Sequence, residues 1–194
     1  MKPRWEKETF RLPRDHGFKA RPGNAIFIAD RGAVRFEYPA AWTMEPTDDA
    51  LEFRDRPPPD DDCVLKFSLM RLNPQIDCSG VRLAQLLEDL LSKDSPGQTL
   101  VGKVRTRRRD DMQLAWLETS SIDPGEQREG RCRACLALRG NLMPFITMDF
   151  WPEDSTRFAP VWSGILRTLR IGEYETKLTG SDPRHWVTMG PSSD

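Results

Sequence analysis

The feature that most restricts this chain is a run of four consecutive segments with alternating hydrophobicity, at about residues 101–109, 113–121, 129–138 and 142–151. Successive side chains of an extended strand point to opposite faces, so this alternation predicts strands that turn one face to a core. The links carry turn residues: Arg109-Asp110-Asp111, Asp123-Pro124-Gly125 and Arg139-Gly140-Asn141. Links this short join antiparallel neighbours, because a parallel crossover needs a dozen residues or more. A β-meander is therefore predicted.

Helical periodicity brackets the meander. Before it, Leu83, Leu86, Leu87, Leu90 and Leu91 recur at helical spacing, with Ser79 placed to cap and Ser95-Pro96-Gly97 placed to stop. After it, Phe158, Val161, Trp162, Ile165, Leu166 and Leu169 repeat the pattern. Pro160 tolerates the first turn, where its missing N–H is not needed, so this helix is predicted to begin between Ser155 and Phe158; Gly172 then ends it. Each apolar stripe needs a surface, and the sheet is the simplest one.

The N-terminal half adds a hairpin, with Ile26 and Ile28 in one strand, Asp30-Arg31-Gly32 as turn, and Val34, Phe36 and Tyr38 in the return strand. Leu51–Arg54 and Val64–Leu72 read as further strands. Between them, three prolines and three aspartates (Pro57 to Asp62) predict a rigid, solvated loop. In the last strand Ile146, Met148 and Phe150 oppose Phe145 and Trp151, which favours two covered faces. The expected architecture is α+β: an antiparallel sheet of about six strands with helices packed on both faces, an α/β/α sandwich. Residues 1–24 read as a charged N-terminal extension, 25–172 as the single domain, and 173–194 as a polar C-terminal tail.

Charge and composition exclude several classes of function. Twenty-nine basic against thirty acidic residues leave a net charge of −1, which gives no general attraction to nucleic acid or anionic membrane. The opening MKPRWEK lacks an apolar leader, and no segment is apolar for long enough to span a bilayer. A cytoplasmic protein with four reduced cysteines is expected.

Few constellations suggest chemistry. Cys132-Arg-Ala-Cys135 is the one C-x-x-C, but in a strand its two thiols face opposite sides and do not converge on a metal or a disulfide. His16 and His185 lie near the ends of the chain, and Asp60-Asp61-Asp62 lacks the alternation of a calcium loop. No phosphate-binding, dinucleotide, nucleophile-elbow or zinc-protease motif is present. No catalytic, cofactor or metal residue is assigned. The sharpest charged feature is Lys103 to Arg109, where Lys103, Arg105, Arg107 and Arg109 would line one strand face, about 6.6 Å apart. No aromatic residue interrupts this run, which argues against nucleic acid and for an acidic protein partner or a solvated face.

Phe36, Tyr38, Pro39 and Trp42 form F-x-Y-P-x-x-W, which resembles the start of the PsbP-like family. The likeness continues through the leucine helix, the meander and a closing W-x-x-I-L (Trp162, Ile165, Leu166). That family includes the photosystem extrinsic subunit, Mog-like import factors and DcrB-like bacterial proteins. The resemblance implies the α/β/α sandwich and, since members mostly bind proteins, a non-enzymatic interaction domain: an adaptor, chaperone or assembly factor. The alternative is a small-molecule binder or enzyme with a cleft of carboxylates and arginines such as Glu118, Asp149 and Arg133. The sequence names neither the partner nor the oligomeric state.

Overall fold

A computed structural model describes residues 5–7, 19–94, 97–172 and 184–189. The strands form two sheets. The large one has eight strands: β4 (Thr43–Pro46), β5 (Leu51–Arg54), β6 (Cys63–Arg71), β11 (Leu142–Phe150), β10 (Glu129–Leu138) and β9 (Met112–Ile122) in spatial order, with β7 (Thr99–Leu100) and β8 (Arg105–Arg109) both on the outer edge of β9. Every pairing within it is antiparallel. The small sheet has five strands in the order β1 (Trp5–Lys7), β13 (Arg184–Met189), β2 (Asn24–Ala29), β3 (Val34–Pro39) and β12 (Arg170–Ile171).

This differs from one six-stranded sheet with helices on both faces. The predicted hairpin does form, with β2 and β3 paired across a short turn at Asp30–Gly32. It does not join the meander, however, but packs face to face on the large sheet. Phe27 and Phe36 from the small sheet meet Phe53 and Phe67 from the large one with ring centroids 4.9 to 5.9 Å apart. Such tilted and edge-on contacts suit the quadrupoles of aromatic rings. Tyr38 closes on Phe53, and Trp42 on Phe158. The motif residues thus hold sheet to sheet and helix to sheet.

We call the side of the large sheet that bears this aromatic core its inner face. Helix α2 (Ser155–Thr168) lies in the same layer, buries Phe158, Trp162 and Ile165, and packs chiefly on β3. Helix α1 (Leu83–Asp94) covers β9 and β10 on the outer face, where Leu83, Leu87 and Leu91 meet Ala115, Leu117, Ala134 and Leu136. α1 starts later than predicted. Ser79 donates its hydroxyl to Asp77 in a local turn instead of capping the helix.

Two further expectations change. The strand predicted over 101–109 forms only from Arg105 onward, because the edge is broken at residues 101–104, with the two-residue β7 lying before the break. The aspartates after the prolines are not simply solvated. Asp61 pairs with Arg54 at 2.5 Å, and Asp62 pairs with both Arg56 and Arg157. The described parts of the terminal segments, β1 and β13, belong to the small sheet and pair in parallel. His16 lies outside the described residues.

Candidate functional site

The break in the edge strand creates a chemically distinctive surface. Val101 still donates to the Glu118 carbonyl at 2.7 Å, and pairing resumes with Arg105 opposite Trp116. Leu117 alone separates Trp116 from Glu118, whereas Gly102, Lys103 and Val104 occupy the edge side. The surplus has to bulge, and Gly102 accommodates it at φ +84, a conformation costly to other residues. Beside the bulge, Ala159, Trp162 and Ser163 of α2 lie at i, i+3 and i+4 on one helix face. Bulge, β9 and α2 together enclose an open cleft of about 440 Å³ that also includes Lys103, Arg105, Trp116, Glu118 and Arg133.

Arg133 and Glu118 are directly opposite across β10 and β9. Arg133 donates from Nε to Glu118 Oε2 at 2.8 Å and from Nη2 to Ser155 Oγ at 3.0 Å, and its guanidinium lies 4.6 Å from the Phe150 ring centre. Arg131 donates to the other Glu118 oxygen at 3.3 Å. Arg133 Nη1 is buried and has no acceptor. Most buried donors in proteins are satisfied, so an orphan on a guanidinium is unusual.

The predicted basic ladder divides into three fates. Lys103 leaves the strand and overhangs the cleft. Arg105 and Arg107 sit on the inner side of β8, exposed, with no ion pair among the described residues. Arg109 is committed to structure, donating from Nη1 to the Arg167 carbonyl at 2.8 Å and from Nη2 to that of Leu169. Those carbonyls end α2, where backbone acceptors lack partners and a cation is favoured.

Of the carboxylate and arginine trio, only Glu118 and Arg133 come together. Asp149 is on the outer face, directly opposite Cys132 and Val64. Burial pushes its carboxyl above the usual range, and a hydrogen bond from Cys132 with the nearby Lys66 charge offsets this only in part. Burial and then the Asp149 charge raise the Cys132 thiol well above its ordinary value. Burial alone raises Cys135 to about 12. Neither thiol is a nucleophile near neutral pH. As expected for a strand, Cys135 belongs to the inner core and Cys132 to the opposite face.

The role of the two tryptophans in the cleft was not visible in the sequence. Trp116 and Trp162 each fit an apolar period; the register of β8 on β9 sets Trp116 opposite Arg105, and the docking of α2 brings Trp162 to the same cleft.

Residues 25–175 match the Alr1449 family model. The chain belongs to that family. It is 36% identical over 171 residues to a protein from Nostoc sp. strain PCC 7120 named uncharacterized protein alr1449, covering 88% of each. The solution structure of cyanobacterial PsbP from Synechocystis sp. PCC 6803 superposes with a TM-score of 0.58 at 11% identity, over 77% of this chain and 94% of that one. A Bacteroides thetaiotaomicron crystal structure gives 0.51 at 14% identity, over 78% of this chain and 49% of that one. At these identities the likeness is one of fold, and this Alr1449-family chain has a PsbP-like fold. Among the described residues, no helix is long and apolar enough to cross a membrane.

Proposed function

We propose that this Alr1449-family domain is a non-enzymatic interaction domain that docks an acidic segment of a partner protein along β8 and the adjoining face of α2. The observation that carries this is the pair Arg105 and Arg107: exposed, on the same side of an edge strand, and without an ion pair among the described residues. Charges placed this way attract an oppositely charged partner and orient it before contact. The Mog-like and DcrB-like comparison drawn from F-x-Y-P-x-x-W belongs to this reading, as does a cytoplasmic location.

The test compares wild type with the double variant R105E/R107E as bait in extracts of the native host, followed by kinetics on any captured protein. Loss of the partner with the variant, mainly through a slower on-rate and less so as salt rises, supports the docking face. Equal capture by both baits at low salt rejects it.

A further inference from the structure

We infer that the cleft between the edge bulge and α2 binds a small organic anion, a carboxylate or phosphate monoester carried on a flat apolar body. The inference shares Arg105 with the docking proposal but is separable from it, because docking needs Arg107 and the cleft needs Arg133. The cleft, about 440 Å³, falls within the size range of small-molecule sites. Lys103, Arg105 and Arg133 face it against one carboxylate, Glu118, which is already bonded to Arg131 and Arg133. The lining therefore carries surplus positive charge, which an anion would reduce.

Arg133 supplies the second observation. It is only 9% exposed, three of its donor contacts go to Glu118 and Ser155, and Nη1 has no acceptor. A donor buried without a partner is costly, and a ligand oxygen is the acceptor this one lacks. The half-buried Trp116 sets the remaining chemistry, since its ring offers apolar surface beside the cations, with the buried Trp162 presenting only an edge to the cleft. A neutral apolar ligand leaves the cations unanswered, and a bare inorganic ion leaves the Trp116 ring uncovered. An anion with a flat apolar body meets both demands. Because Nη1 is covered, the lining has to shift slightly to admit an oxygen, which ties binding to a change in tryptophan emission.

The experiment titrates phenyl phosphate, benzoate, inorganic phosphate and the neutral isostere benzamide into the full chain, reading tryptophan fluorescence and thermal midpoint. Saturation by phenyl phosphate or benzoate with a raised midpoint is expected, and whichever binds more tightly identifies the anionic group. Benzamide and inorganic phosphate should bind at least roughly tenfold more weakly. Arg133→Gln should weaken the preferred anion at least roughly tenfold. Ser163→Trp fills the cleft from an exposed helix position without altering a charge; it should do the same and keeps the test open if Arg133→Gln does not fold. Arg107→Glu should leave anion binding essentially unchanged while weakening partner capture, which separates the two proposals. The inference is overturned if neither organic anion binds at millimolar concentration, or if benzamide matches benzoate. It is likewise overturned if inorganic phosphate matches phenyl phosphate, or if a folded Arg133→Gln or Ser163→Trp protein binds as wild type does.

Discussion

Cys132 and Arg133 are neighbours in one strand, face opposite sides of the large sheet, and each meets a carboxylate. On the inner face Glu118 receives two guanidinium groups and is held as part of a charged pair. On the outer face Asp149 receives only a thiol, and burial pushes its carboxyl up. The coverings differ as well. The inner face is sealed by a second sheet, α2 and an aromatic cluster, whereas the outer face has one leucine-rich helix over β9 and β10 and polar side chains, Glu52, Lys66 and Asp149, beyond it. The same backbone therefore supports a side where a carboxylate is held directly by two guanidinium groups, and a side where the Lys66 charge offsets the burial of Asp149 only in part.

The sharpest way to break the contrast is to empty each core. Phe67→Ala, at the centre of the inner cluster, should destabilise by about 3–5 kcal/mol, and Leu87→Ala under α1 by about 2–5 kcal/mol. Chemical denaturation measures both. A midpoint unchanged by Leu87→Ala would mean that α1 does not seal the outer face. Next comes Glu118→Ala, which leaves Arg133 with Ser155 alone. A loss of roughly 1–3 kcal/mol is expected, the range for removing the partner of a buried group.

Asp149→Asn tests the other carboxylate, with the opposite sign. A carboxyl whose pKa is higher folded than unfolded binds more protons in the native state, so stability falls as pH rises through that interval. The variant should therefore be more stable than wild type at neutral pH. The gain should fade below about pH 4, where the unfolded carboxyl is also protonated. Thermal melts across pH measure this, and a variant less stable at pH 7 would mean that the ionised carboxylate helps hold the sheet. The smallest effect belongs to R105E/R107E, which should change stability by no more than about 1 kcal/mol per site, since both side chains are exposed. A larger loss would show that this edge is structural.

These contrasts were legible in the sequence to unequal degrees. Period two in 113–121, 129–138 and 142–151 and the leucine spacing of α1 are local signals, and those elements formed near the predicted positions. The small sheet was missed because its pairings are long-range: β13 joins β2, and β12 joins β3, across most of the chain. β4 was missed because it is short and largely exposed. In the candidate site, Glu118 and Arg133 were named from their chemistry alone. Register then brought them together and left Asp149 behind them. The bulge at Gly102 escaped notice because one glycine in an alternating run does not interrupt the period.

The clamps on α2 have a further consequence. Arg157 fastens its first turns to Asp55 and Asp62, each at 2.8 Å, and Arg109 fastens its last carbonyls to the edge strand. A rod tethered at both ends does not swing, so the cleft beside it keeps its width in the absence of a ligand. Whatever enters finds the helix wall already in place and asks only for a small shift around the covered Arg133 Nη1, which favours rapid association over slow closure of the helix.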